Sequence, residues 1–180
     1  MGIPTLITTN TEAGDSTSSF TSSIDSTYDE YIFVMTDIGP DTDNVHFTFQ
    51  FNASSQSGYN EPLACVAWYT QQTEAGSVSG PELTNAASRQ DTAEAAFQRL
   101  SEGMGSGSDE SGAGILQLFS PANTTYVTHF STKFNYYTED NRTQTRFVSG
   151  YVDATAAITN VQFKMSSGNF DGVIQMYGIS

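Results

Sequence analysis

Residues 44–52 read NVHFTFQFN. Val45, Phe47, Phe49 and Phe51 fall on one side of an extended chain, and His46, Thr48 and Gln50 on the other. A period of two is that of a β-strand, whose successive side chains point to opposite faces, so this segment reads as a strand with one face in a core. The pattern recurs in TTYVTHFSTKFNYYT at 124–138, with Tyr126, Phe130, Phe134 and Tyr136 on one face and Val127, His129, Lys133 and Asn135 on the other. YIFVMTDI at 31–38 is apolar on both faces, as a central strand covered on both sides would be. Shorter runs are GILQLFS (114–120), TRFVSGYV (145–152), VQFKM (161–165) and VIQMYGI (173–179). SSGNFDG at 166–172 is expected to turn the last of these back onto VQFKM as a hairpin.

Turn residues punctuate these runs at short intervals, as in DIGPDTDN (37–44), SPANTT (120–125) and TEDNRT (138–143). Pro and Gly mark places where the chain needs a fixed or a positive φ. About eight or nine strands without long helical stretches between them predict an all-β fold, an antiparallel β-sandwich or jelly roll. One segment departs from the pattern. DTAEAAFQRLSEG (91–103) has Asp91 as an N-cap, Glu94 three residues on, Gly103 past the end, and a helical stripe of Ala93, Ala96, Phe97 and Leu100. At most one short helix is expected there, with AFQRLSE as a strand the alternative. EGMGSGSDESGAG (102–114) reads as an exposed acidic loop.

Composition narrows the function. The chain has 180 residues, of which 37% are hydrophobic, with 12 Phe and 9 Tyr. That length suits one domain, read as an N-terminal edge strand or arm over residues 1–10 and a single sandwich over residues 11–180. The net charge is −14, from 20 acidic and 6 basic residues. Nucleic-acid binding needs a basic footprint, so neither DNA nor RNA is an expected partner. No run of ~18 apolar residues is present, so no membrane span is expected. The single cysteine, Cys65, lies in the apolar run LACVAW and reads as a small buried hydrophobe.

The sequence is poor in catalytic signals. His46 and His129 both fall within alternating strands, where packing is their expected role. No nucleophile elbow or phosphate-binding loop occurs. No enzyme activity and no cofactor are expected. DIGPDTDN brings Asp37, Asp41, Asp43 and Asn44 into one turn. Carboxylates and carbonyls there suit a hard cation such as calcium, and the competing reading is turn chemistry alone. Tyr59, Trp68, Tyr69, Tyr136 and Tyr137 are candidates for a sugar-stacking platform, with core packing the alternative.

IDSTYDEYIF (24–33), AFQRLSEG (96–103), LQLFSPANTTYVTHF (116–130) and VQFKMSSGNFDGVIQMYGI (161–179) resemble a family of small β-sandwich virion structural proteins of tailed bacteriophages, especially marine ones. The resemblance implies a structural protein without catalysis. Its members resemble both head decoration proteins and tail-fibre modules. An acidic sandwich of this size suits a decoration or cement protein on the outer capsid surface, bridging and stabilising subunits of the major capsid protein. A symmetric homo-oligomer, most simply a trimer, is then expected. The alternative is a tail-fibre or head-fibre module that binds host surface polysaccharide. The apolar start of the chain, with Ile3, Pro4, Leu6 and Ile7, is the expected contact with a capsid or sister subunit.

Overall fold

The structure, a computed structural model, describes residues 2–83 and 96–180. Twelve strands follow one another: β1 (Thr5–Asp15), β2 (Ser18–Phe20), β3 (Glu30–Pro40), β4 (Phe47–Ala53), β5 (Leu63–Thr73), β6 (Val78–Leu83), β7 (Gln98–Arg99), β8 (Gly112–Phe119), β9 (His129–Thr138), β10 (Arg142–Val152), β11 (Ile158–Met165) and β12 (Phe170–Ile179). They form an eight-stranded sheet, β1-β12-β3-β8-β9-β10-β5-β6, and a four-stranded sheet, β2-β11-β4-β7. All pairings are antiparallel, and the two sheets make a β-sandwich. The strand count exceeds the expected eight or nine because β2, β6 and β7 are short pieces of two to six residues with little alternation of their own.

Phenylalanines fill the space between the sheets. Phe47 of β4 packs on Phe163 of β11, Phe134 of β9 and Phe170 of β12, with ring centroids 5.9, 5.4 and 5.6 Å apart. It therefore joins strands of both sheets. Edge-to-face and tilted contacts continue through Phe33, Phe20, Phe49, Phe51 and Phe130, the geometry that ring quadrupoles favour. Thr48, Gln50 and Asn52 of NVHFTFQFN are buried as well. Gln50 donates to the carbonyls of Glu61 and Ala96, and Asn52 Oδ1 accepts from Tyr59 N, so β4 lies inside on both faces.

Four expectations are corrected. SSGNFDG does not close a hairpin. β11 pairs with β2 and β4 in the small sheet, and β12 with β1 and β3 in the large one, so the loop arches from sheet to sheet. Alternation is the same for a hairpin and an arch; the loop is set by Asp41, whose N donates to Asn169 O and whose Oδ1 accepts from Asn169 N. The helix expected over 91–102 is absent from its described end, where Gln98–Arg99 forms β7 against β4 and Leu100 N donates to Phe47 O at 2.7 Å. Asp91, Ala93 and Glu94 lie outside the described residues. Tyr126 is not on the core face of β9 but exposed in the preceding loop, where Asn123 Oδ1 accepts from its N. Finally, YIFVMTDI is central but fully buried on one side only: Tyr31, Phe33 and Met35 are buried, and Ile32 and Val34 face outward, half-buried.

Candidate functional site

A cavity of about 520 Å³ opens where β5 and β10 meet the β9–β10 turn and the segment after β7. Three of the six Lys and Arg residues of the chain line it: Arg99, Arg142 and Arg146. Alternation along β10 puts Gln144, Arg146, Val148 and Val152 on the inward face, so a guanidinium enters where the apolar core ends. Arg146 has no exposed surface. Its Nη1 donates to Glu102 Oε1 at 3.0 Å, and Arg99 Nη1 donates to Glu102 Oε2 at 2.8 Å, so one carboxylate bridges two guanidiniums. At the rim Arg142 pairs with Asp140 at 2.8 Å.

Neutral groups complete the lining. His46 Nδ1 accepts from Gly103 N at 3.2 Å, which places the imidazole proton on Nε2. Burial, and then the charge of Arg99, hold its pKa below the ordinary histidine value, consistent with a neutral ring. The Nδ1–Glu102 approach of 3.4 Å is accordingly a contact between a neutral ring and a carboxylate. Tyr136 OH accepts from Glu102 N and donates to Gln144 Oε1, and burial pushes this phenol far up. Gln144 Nε2 continues to Gln71 Oε1 at 3.1 Å. Glu102, Glu139 and Asp140 match the three arginines in number, so the cavity has no net charge. Its amides, guanidiniums, carboxylates and the Tyr69 ring suit a polyhydroxylated neutral ligand better than an anion. Sequence reading assigned His46 to packing and passed over Arg146. The overlooked signal was a charged residue on the otherwise apolar inward face of TRFVSGYV.

Asp41, Asp43 and Asn44 occupy the predicted turn, whereas Asp37 lies within β3, at its register shift between Met35 and Ile38. Asp41 Oδ1 accepts from Thr42 Oγ1 and Asn169 N, and Asp43 Oδ1 accepts from Ser106 N. Asn44 has a φ of 58°, which fits turn chemistry, and Asp37 has a φ of 53° at the β3 irregularity. Among the described residues no group of three or more His, Cys, Asp or Glu gathers as a metal site would. Ile3 and Leu6 are exposed, Pro4 precedes β1, and Ile7 is half-buried against the core. The five aromatics do not gather into a platform. Tyr136 is buried, Tyr69 lines the cavity, Trp68 stacks on Phe147 outside the large sheet, Tyr137 OH donates to Glu74, and Tyr59 sits in the loop after β4. Cys65 is half-buried, and its Sγ donates to Gln98 Oε1.

Among the described residues no helix is long and apolar enough to cross a membrane. Comparison with protein-family models, with curated proteins and with solved structures returns no match.

Proposed function

We propose that this chain is a non-enzymatic structural protein of a bacteriophage virion, a decoration protein on the outer surface of the mature head that bridges major capsid protein subunits. The observation that carries the reading is the open edge of β1. This strand has eleven residues and, among the described residues, hydrogen-bonds along β12 on one side only. Sheets normally guard such edges with short strands, Pro or charge. The opposite edge, β6, is guarded: it has six residues and includes Pro81 and Glu82. β1 has no proline or lysine, its carboxylates, Glu12 and Asp15, come only at the far end, and its register shifts, at Leu6/Thr8 and Ala13/Asp15, leave Thr8–Ala13 between them regular. Ile3, just before it, and Leu6, within it, stand exposed. Such an edge suits strand addition from a partner, in which main-chain bonds supply affinity. The acidic surface keeps the protein off packaged nucleic acid, and the resemblance to virion proteins of tailed phages points the same way.

Two measurements test this. Quantitative mass spectrometry of particles against the major capsid protein should find copies on the scale of the capsid lattice; a handful of copies would reject lattice decoration. Deleting residues 1–10 should abolish particle binding and leave the domain folded, because β1 contributes no fully buried residue. Continued decoration by the truncated protein would reject the edge as the contact.

The polar cavity favours a second reading, a fibre module that holds a host surface saccharide on Arg142, Gln144 and Tyr69. Saturable binding of host polysaccharide, lost in Arg142→Ala, would support it over decoration.

A further inference from the structure

The outward face of the large sheet is an unfinished interior. The strand registers align a row across it: Leu83, Trp68, Phe147, Lys133, Ile115 and Val34. Trp68 and Phe147 stack with centroids 4.0 Å apart and planes 12° from parallel, and Lys133 Nζ lies 5.9 Å from the Phe147 ring centre. The adjoining row holds Val66, Ser149, Ser131, Gln117 and Ile32. Val66, Phe119, Val78 and Leu83 on this side are 48%, 38%, 72% and 72% exposed. Ile32 and Val34 also point to this side and are half-buried.

Charge is the second observation. The chain carries 20 acidic residues, yet the outward positions of β5, β10, β9, β8 and the Glu30–Thr36 part of β3 include one carboxylate, Glu30, and one ammonium, Lys133. Glu30 is held within the face by Gln117 Nε2 at 2.9 Å. A protein of charge −14 repels its own copies through nearly any other surface. This face is close to charge balance, its β6 edge adding only Glu82, which accepts from Tyr69 OH, and it offers each copy a cation and an anion for the other.

Area is the third. These strands with β6 and β12 beside them, at ~4.8 Å spacing and ~3.4 Å per residue over seven residues, cover roughly 800 Å². That is about what one partner contributes to a stable interface.

We propose that this face docks on the same face of a second copy of this chain across a two-fold axis. Two large sheets then stack ~10 Å apart, the arrangement that apolar sheet faces adopt inside sandwiches. The contact is isologous, so it closes at two chains and favours a dimer over the three-fold oligomer expected from the sequence. A basic partner would instead be drawn to the carboxylate-rich surfaces. The proposal does not depend on a virion role.

Sedimentation equilibrium of the purified full chain between ~1 and ~200 μM tests it. The expected result is a mass twice 19.4 kDa, with emission of Trp68, the chain's single tryptophan, moving to longer wavelength as dilution separates the copies. The double substitution Val66→Glu with Leu83→Glu, at exposed positions, should raise the dimer Kd by at least ~100-fold with an unchanged far-UV spectrum, since it opposes like charges across the contact. Ser149→Arg, exposed in the adjoining row, should give the same result and serves if the double variant does not fold. A wild-type monomer at ~200 μM would overturn the proposal. So would a dimer that survives these substitutions, which would place the contact elsewhere.

Discussion

Glu102 is the residue on which the polar end of the sandwich turns. It meets Arg146 from 44 positions away and Arg99 from three. Removing one partner of a buried ion pair costs about 3 kcal/mol or more where the charge left behind is fully buried, as Arg146 is, and less where it reaches solvent and keeps a second partner, as Glu102 does with Arg99. Glu102→Ala should therefore destabilise by roughly 3 kcal/mol in urea denaturation, and Arg146→Met by clearly less. His46 adds a pH dependence of definite sign. Its folded pKa lies below the ordinary value near 6.5, so its contribution is complete above that pH and is lost on acidification, as the unfolded chain takes up the proton more readily. Denaturation midpoints should fall between pH 7.5 and about pH 5.5. His46→Asn, whose Oδ1 replaces the Nδ1 acceptor, should flatten that fall; an unchanged slope would assign it to other groups.

At the scale of elements, the last strand carries the main irregularity. β12 shifts register between Asp171 and Val173, and Gly172 there has a φ of 147°. A Cβ at Gly172 would lie 2.7 Å from Ile38 Cδ1 and 3.1 Å from Asp37 O. Backbone strain and crowding then act together, and Gly172→Ala should cost about 1–3 kcal/mol, read as a lowered melting temperature. The bulge was not legible beforehand, because Gly172 closes SSGNFDG, where a glycine reads as part of a turn. β7 shows the converse. Its caps and stripe resembled a helix, but Gln98 and Leu100 face the edge of β4, and tertiary pairing overrides so short a local preference. β4 and β9 were legible because apolar and polar side chains alternate along them, and β3 because it is a continuous apolar run.

The whole molecule combines an aromatic interior with a strongly acidic exterior. The sequence pI is near 4.1, so acidification removes the repulsion that separates copies. Turbidity should rise as pH approaches about 4, while at neutral pH added salt should stabilise the fold by screening like charges. A melting temperature insensitive to ionic strength would show that the acids are spaced widely enough not to oppose folding.

The sequence by itself determined that this protein is all-β, which side of β4 and β9 faces a core, and that its net charge is strongly acidic. Those properties are local or compositional: a period of two needs no partner to be read. Only the tertiary structure decided that β11 and β12 belong to opposite sheets, that Arg146 meets Glu102 beside a cavity, and that Ile32 and Val34 face outward. Alternation states that a side chain is turned inward or outward, but strand order and the covering of a face arise from pairings between distant segments, and no spacing within a strand encodes them.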